Sequence, residues 1–117
     1  MKTTTKLFGI VALFATVLFA SCKKDDNTPT PVASFTIAPD DTIYYNQTLT
    51  FTNTSTGADS YAWSFGDGST STATSPTKSF EDFVSTDCEE TFTITLTATK
   101  NGKTSTTSKN VLVYFCS

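Results

Sequence analysis

Residues 60–80 read SYAWSFGDGSTSTATSPTKSF, in which closely spaced aromatic residues lead into a glycine-rich turn. The aromatic side chains of residues 61–65 occupy alternate positions, so on a strand they share one face. Gly66 and Gly68 can adopt the positive φ angles of a tight turn, and Asp67 can accept hydrogen bonds from backbone N–H groups there. The stretch predicts a strand that ends in a tight turn. Whether its rings and carboxylate form scaffold or a ligand site is the question it raises.

The chain from residue 32 onward repeats this alternation of apolar and polar positions. Threonine fills most of the opposite faces, and it suits strands because its β-branch fits a pleated surface. Short strands separated by turn signals predict an all-β fold, an Ig-like β-sandwich of about seven strands. The five apolar faces are Ala33-Phe35-Ile37, Leu49-Phe51, Tyr61-Trp63-Phe65, Phe92-Ile94-Leu96-Ala98 and Val111-Val113-Phe115.

Several strings along this region resemble the PKD domain. They are Trp63-Ser-Phe-Gly-Asp-Gly68, the pair Ser75-Pro76, Phe80, and Thr91-Phe-Thr-Ile-Thr-Leu-Thr-Ala98. The resemblance covers residues 32 to 115. The chain departs from the family's pattern where Phe80 and Phe92 replace tyrosines and where residues 85–90 replace a short glycine-containing turn. The resemblance implies a PKD-type β-sandwich and a non-enzymatic role in protein–protein or protein–carbohydrate contact.

Trp63 and Phe65 are predicted to be core residues. A domain of about 86 residues buries only somewhat more than about 60% of its surface, so it needs a tryptophan as core filler. Gly66, Asp67 and Gly68 are then structural turn residues. The alternative is that Trp63 forms an exposed aromatic platform for a ligand.

A metal site at the turn is the alternative role for Asp67. A calcium ion would need Asp67 together with Asp40, Asp41 or Asp59. Calcium takes about six to eight oxygen ligands, whereas the turn offers one carboxylate and matches no calcium loop. We therefore predict no metal ligands and no cofactor, with calcium as the open alternative.

The first 21 residues have the pattern of a signal peptide. Lys2 and Lys6 form a positively charged start, and Leu7 to Phe19 is an uncharged, mostly apolar run of 13 residues. This run is too short to span a bilayer as a helix. Ala20 and Ser21 supply the small residues that precede a cleavage site.

The junction Phe19-Ala20-Ser21-Cys22 resembles the lipobox of bacterial lipoproteins, with Phe19 in place of the usual leucine. The resemblance implies that Cys22 becomes the first mature residue and carries fatty acyl chains such as palmitate, which anchor the protein in a membrane. Residues 22–31 are predicted to form a flexible, lipidated tether, and residues 32–117 the domain. The run Lys-Lys-Asp-Asp at 23–26 resembles the export signal of Bacteroidetes surface lipoproteins, which implies a surface-exposed outer-membrane location. A solvated charge cluster is the alternative.

The charged residues exclude several function classes. From Cys22 onward the chain has six lysines, eleven acids, no arginine and no histidine, giving a formal charge of −5. Nucleic-acid binding requires a clustered basic face, so it is not predicted. Catalysis by a histidine base or triad is excluded. The adjacent acids Glu81-Asp82 and Glu89-Glu90 would point to opposite faces of a strand, so they do not form a glycosidase pair, and we predict no enzyme activity.

Cys88 and Cys116 are predicted to form a disulfide. A two-residue turn at Asn101-Gly102 would pair residues whose numbers sum to 203, which sets Cys88 opposite Phe115. A slip or bulge of one residue brings Cys88 to Cys116. Export to an oxidising compartment permits the bond, and two buried free thiols are the alternative.

Two functions remain open, a binding module for a protein or polysaccharide and a structural spacer or assembly component of an envelope, secretion or adhesion apparatus. If the domain binds a ligand, aromatic rings outside the core should contact it. Tyr44 and Tyr45 are adjacent, so at least one of them should be exposed on a strand. Phe83 lies in the atypical segment, and Tyr114 alternates away from the core. We therefore expect the contact at Tyr44, Tyr45, Phe83 or the loop of residues 81–90.

Overall fold

Eight strands form two sheets in the computed structural model, which describes residues 27–81 and 86–116. One sheet has the order β1-β3-β6, and the other has the order β2-β8-β7-β4-β5. The predicted Ig-like β-sandwich is confirmed. The strands are β1 (Phe35–Ala38), β2 (Thr42–Tyr44), β3 (Thr48–Asn53), β4 (Ser60–Ser64), β5 (Thr70–Ser71), β6 (Thr77–Ser79), β7 (Glu89–Lys100) and β8 (Lys103–Tyr114).

The core lies between the two sheets and contains the apolar residues that alternate along the strands. In β7, for example, Phe92, Ile94 and Leu96 are buried while the threonines between them face outward. Ile37, Tyr61 and Phe115 are only partly buried against this core. The buried apolar residues are Ala33, Phe35, Ile43, Leu49, Phe51, Trp63, Phe65, Phe80, Phe92, Ile94, Leu96, Ala98, Val111 and Val113.

The β7–β8 hairpin is the longest feature of the fold, with twelve residues in each strand. Its turn is tight because Asn101 and Gly102 both have positive φ, 49° and 81°. The register follows from this turn and runs from Lys100 opposite Lys103 to Glu89 opposite Tyr114. Beyond it, the Phe115 N–H donates to the Cys88 carbonyl at 2.8 Å, and Cys88 and Cys116 form the predicted disulfide.

The outer face of this hairpin carries rows of paired hydroxyl and amide groups. Thr95 and Ser108 lie 2.9 Å apart across the strands, and the Thr93 hydroxyl donates to Asn110 at 3.0 Å. Such cross-strand pairs stabilise a sheet modestly, by roughly 0.2–1 kcal/mol each. The threonine pattern thus marks the solvent face of the five-stranded sheet.

The segment before β1 packs on the hairpin turn. Lys103 Nζ donates to the Thr28 carbonyl at 2.6 Å, and Pro31 is fully buried. Thr28 and Pro31 both belong to the segment 22–31 that was predicted to be a flexible tether. Within the described residues, the end of this segment therefore contacts the domain through Thr28 and Pro31.

The strand count exceeds the expected seven because two edge strands are very short. β5 has two residues and β2 has three, and neither is long enough to show a clear alternation in the sequence. β2 also pairs with β8 in parallel, whereas the other strand pairs are antiparallel. Within residues 27–81 and 86–116, no helix is long and apolar enough to cross a membrane.

Candidate functional site

Trp63 is part of the core, as its alternation with Tyr61 and Phe65 predicts. Its side chain is 1% exposed, and its ring centroid lies 5.1 Å from that of Phe35 and 5.8 Å from that of Phe51. The indole N–H donates to the Ala73 carbonyl at 2.9 Å. A buried tryptophan whose N–H has a partner is a packing residue, so its ring is not available as a ligand platform.

Asp67 holds the glycine turn together through its carboxylate. Oδ1 accepts hydrogen bonds from the Ser69 N–H at 2.9 Å and from the Ser69 hydroxyl at 2.5 Å, and Oδ2 pairs with Lys78 Nζ at 2.7 Å. Burial alone would raise the pKa of Asp67. The hydrogen bonds from Lys78 and Ser69 and the charge of Lys78 outweigh burial and lower the pKa from 3.8 to about 2.

Lys78 also contacts two aromatic rings beneath the turn. Its Nζ atom lies 5.9 Å from the ring centroid of Phe65 and 5.3 Å from that of Phe80. The lysine therefore links the turn to β6 by charge and by cation–π contact. A polar groove of about 530 Å³ adjoins these residues, but Asp67 and Lys78 pair with each other in its wall.

The carboxylates that were candidates for calcium do not converge. Asp67 pairs with Lys78, and Asp59 pairs with Lys100 at 3.4 Å. In the part of the chain that the structure describes, no group of three or more His, Cys, Asp or Glu side chains is placed to hold a metal ion.

Aromatic residues gather at the end of the sandwich where β2 and β8 terminate. Tyr44 and Tyr45 are 63% and 45% exposed. Their rings lie 5.8 Å from Tyr114 and 6.2 Å from Phe115, respectively, measured between centroids. Exposed aromatic residues are informative when they cluster. We call this cluster of Tyr44, Tyr45, Tyr114 and Phe115 the aromatic end.

Two solved PKD domains are similar in structure to this chain. The PKD1 domain of Vibrio anguillarum Epp has a TM-score of 0.60 and 27% sequence identity, over 77% of this chain and 100% of that chain. The PKD1 domain of the Vibrio cholerae metalloprotease PrtV has a TM-score of 0.57 and 28% identity, over 74% of this chain and 99% of that chain. This chain carries a PKD-type domain.

The PKD-type domain is also similar to a structure of carbohydrate-binding modules from the β-sandwich superfamily. The TM-score is 0.66 and the identity 24%, over 79% of this chain and 37% of that chain, so the similarity concerns the fold alone. No protein-family model matches the sequence, and no curated protein matches it significantly. Together the similar structures support a PKD-type β-sandwich fold.

The remaining predicted site residues fall into two groups, the glycines of the turn and residues outside the described part of the chain. Gly66 and Gly68 have φ angles of +83° and +93°, as the turn requires. Cys22 and Phe83 lie outside the described residues, as does part of the loop of residues 81–90. Sequence reasoning missed Lys78, because nothing in its local sequence indicates that a lysine of β6 returns to the turn.

Gly66 is expected to be the less replaceable glycine of the PKD-type turn. A Cβ atom at Gly66 would lie 2.9 Å from both the N and O atoms of Thr93, whereas a Cβ at Gly68 would meet nothing within 4 Å. Both residues have positive φ, which costs an alanine roughly 1–2 kcal/mol. Overpacking adds roughly 1–3 kcal/mol at Gly66 alone. Urea unfolding should show a loss of about 3 kcal/mol for Gly66→Ala and about 1 kcal/mol for Gly68→Ala, and equal losses would contradict the close approach.

The Asp67–Lys78 pair predicts a dependence of stability on pH. Because the pKa of Asp67 falls from 3.8 to about 2 on folding, the pair stabilises the fold above pH 3.8 and loses this effect as the pH falls towards about 2. Asp67→Asn should lower the free energy of unfolding by about 1 kcal/mol near neutral pH, since solvent screens the pair.

Chemical unfolding at neutral pH and at pH ~2 tests this expectation, because most of the difference in unfolding free energy between wild type and Asp67→Asn should be lost in acid. Asp59→Asn is the matched control, since Asp59 is 56% exposed and its contact with Lys100 is longer. A difference that is equally large at both pH values would show that Asp67 acts only as a hydrogen-bond acceptor.

Proposed function

We propose that this protein is an extracytoplasmic binding module, anchored to the bacterial outer membrane by acylated Cys22, that contacts a protein or a polysaccharide through its aromatic end. The observation that carries the proposal is the clustering of Tyr44 and Tyr45 with Tyr114 and Phe115 at a solvent-exposed end of the sandwich. The aromatic rings of the core, by contrast, are buried and pack against one another, so they are not accessible to a ligand.

The position at which the chain enters the domain supports the same function. Thr28 contacts Asn101 and Lys103 at the tip of the β7–β8 hairpin. The aromatic end lies at the other end of these strands, roughly 35 Å away at ~3.3 Å per residue. An anchor at Cys22 would therefore hold the hairpin tip towards the membrane and present the aromatic end away from it.

The anchor itself rests on the lipobox-like junction and on the Lys-Lys-Asp-Asp run that follows Cys22. Cys22→Ala should abolish acylation and leave the precursor unprocessed, because the lipoprotein pathway uses this thiol for both steps. Metabolic labelling with a fatty acid analogue, followed by gel mobility, measures both effects. Cys88→Ser is the control and should retain the label. Label that persists in Cys22→Ala would contradict the anchor.

The binding function is tested on the mature lipoprotein in detergent micelles and on intact cells. A glycan array detects polysaccharide ligands, and a photo-crosslinking amino acid at position 45 captures protein partners at the cell surface. We expect a ligand whose capture is lost in Tyr44→Ala while the melting temperature is retained. If no ligand from either assay depends on Tyr44, the binding function is wrong.

A spacer or assembly component is the second candidate. The polar hydroxyl pairs of Thr93, Thr95 and Thr97 on the outer sheet face favour it, because such a face is suited to solvent. In that case, deleting the domain would alter envelope assembly while Tyr44→Ala would have no effect. Neighbouring genes also separate the two functions, since glycan-uptake genes favour binding and secretion or gliding genes favour assembly.

A further inference from the structure

Three side chains at the aromatic end form one row across the outer face of the five-stranded sheet. Tyr44 of β2 is opposite Tyr114 of β8, and Tyr114 is opposite Glu89 of β7. Neighbours in register point to the same face, with Cβ atoms about 4.5–5.5 Å apart in an antiparallel pair. The strand pairing thus places two phenol rings and a carboxylate side by side.

The two tyrosine rings are arranged so that a guest could contact both of them. Their centroids are 5.8 Å apart and their planes are inclined by 36°, and the Tyr44 side chain is 63% exposed. Glu89 is exposed at the end of the same row. Aromatic faces attract cations through the ring quadrupole, and a carboxylate beside them adds charge attraction. A neutral ligand could donate a hydrogen bond to Glu89 but would gain no charge attraction from it, and an anion would be repelled by it.

The chain uses the same chemistry internally at other rings. Lys78 lies over Phe65 and Phe80, and Lys109 lies 5.6 Å from the Phe35 ring centroid. Among the described residues, these lysine–ring contacts do not include Tyr44 or Tyr114. Lysines of the chain thus cover aromatic faces at Phe35, Phe65 and Phe80. In the described part of the chain, the aromatic faces of Tyr44 and Tyr114 have no such lysine and are open to a cation from a partner.

The distribution of charge along the hairpin favours a cationic guest at this end. Glu89 and Glu90 lie at the start of β7, with Asp87 just before them, whereas Lys100 and Lys103 lie at the far tip. A field of one sign concentrates ligands of the opposite sign and raises their association rate. The acidic end is also the end that the proposed anchor would direct outward.

We infer that Tyr44, Tyr114 and Glu89 form a docking site for a lysine or arginine side chain on a basic segment of a partner protein. This inference rests on the proposed function, and it narrows the partner from a protein or polysaccharide to a cationic protein segment. The carboxylate provides the charge contact and the rings provide the cation–π faces.

Fluorescence anisotropy of labelled hexa-arginine with the mature lipoprotein in micelles tests the inference, with hexaglutamate and cellohexaose as comparison probes. We expect hexa-arginine to bind and the other probes not to bind. Glu89→Gln and Tyr44→Ala should each weaken binding about 5-fold, whereas Tyr44→Phe keeps the ring face and should change it less than about 2-fold. Asp59→Asn removes the same charge near the hairpin tip and should also change binding less than about 2-fold.

Each contrary result has a distinct meaning. Equal losses in Asp59→Asn and Glu89→Gln would show that only net charge attracts the peptide, and the docking site would be wrong. Absence of hexa-arginine binding would also overturn it. If cellohexaose binds instead and depends on Tyr44, the cationic partner is wrong while the proposed binding function stands. If Tyr44→Ala alters the binding of none of these probes and of no ligand found on arrays or cells, the docking site and the proposed binding function are both wrong.

Discussion

Trp63→Ala is expected to unfold the domain under conditions in which the wild type is stable. The substitution removes the largest buried side chain and leaves a cavity against Phe35 and Phe51, and it removes the donor to the Ala73 carbonyl. Replacing a buried tryptophan by alanine costs about 3–5 kcal/mol, which is a large part of the total stability of a small domain. Thermal melting followed by circular dichroism measures the loss.

Tyr44→Ala is the matched control for this prediction. Tyr44 is a large aromatic residue on a strand, but its side chain is mostly exposed at the sheet edge. Its substitution should change stability by less than about 0.5–1 kcal/mol. If Trp63→Ala melted normally and lost ligand instead, Trp63 would be a binding residue and the core assignment would be wrong.

The fold was predictable from the sequence because its core strands are long enough to show their period. Phe92, Ile94 and Leu96 on β7 alternate with threonine, and all three are buried. The glycine turn was predictable for a different reason, because a positive φ at Gly66 and Gly68 restricts the residue type. Both signals are local, so they can be read without knowing which strands pair.

The pairing of distant segments could not be predicted in the same way. The parallel contact of β2 with β8 and the packing of Thr28 on the hairpin turn join residues far apart in the chain. The contact between Lys78 and Asp67 depends on how β6 returns across the sandwich. None of these contacts has a period or a spacing in the sequence that specifies it.

The candidate site was predicted in part. Tyr44 and Tyr45 were expected to point to opposite faces, with at least one exposed, and both are exposed. The reason is that β2 is an edge strand that ends at Tyr44, so Tyr45 already belongs to the following turn. Their contacts with Tyr114 and Phe115 depend on the β2–β8 register, which the sequence does not specify.

The disulfide gives the second large expected effect. Replacing Cys88 and Cys116 by serine should lower the free energy of unfolding by roughly 3–4 kcal/mol, because the bond closes a loop of about 29 residues and limits the freedom of the unfolded chain. Urea unfolding of the double variant measures the loss. Reductant should produce the same loss in the wild type and no further loss in the double variant.

The disulfide should also stabilise the proposed docking row locally. Cys116 lies two residues after Tyr114, and Cys88 immediately precedes Glu89, so the bond ties together the ends of β7 and β8 that carry two of the three row residues. Without it, these strand ends should fray, since terminal segments open most readily. Hydrogen exchange of the Phe115 N–H, which bonds to the Cys88 carbonyl, should accelerate more than exchange at Thr97 in mid-strand. Two reactive thiols from Cys88 and Cys116 in unfolded, unreduced protein would show that the bond does not form. Equal acceleration at both positions would show that it stabilises only the fold as a whole.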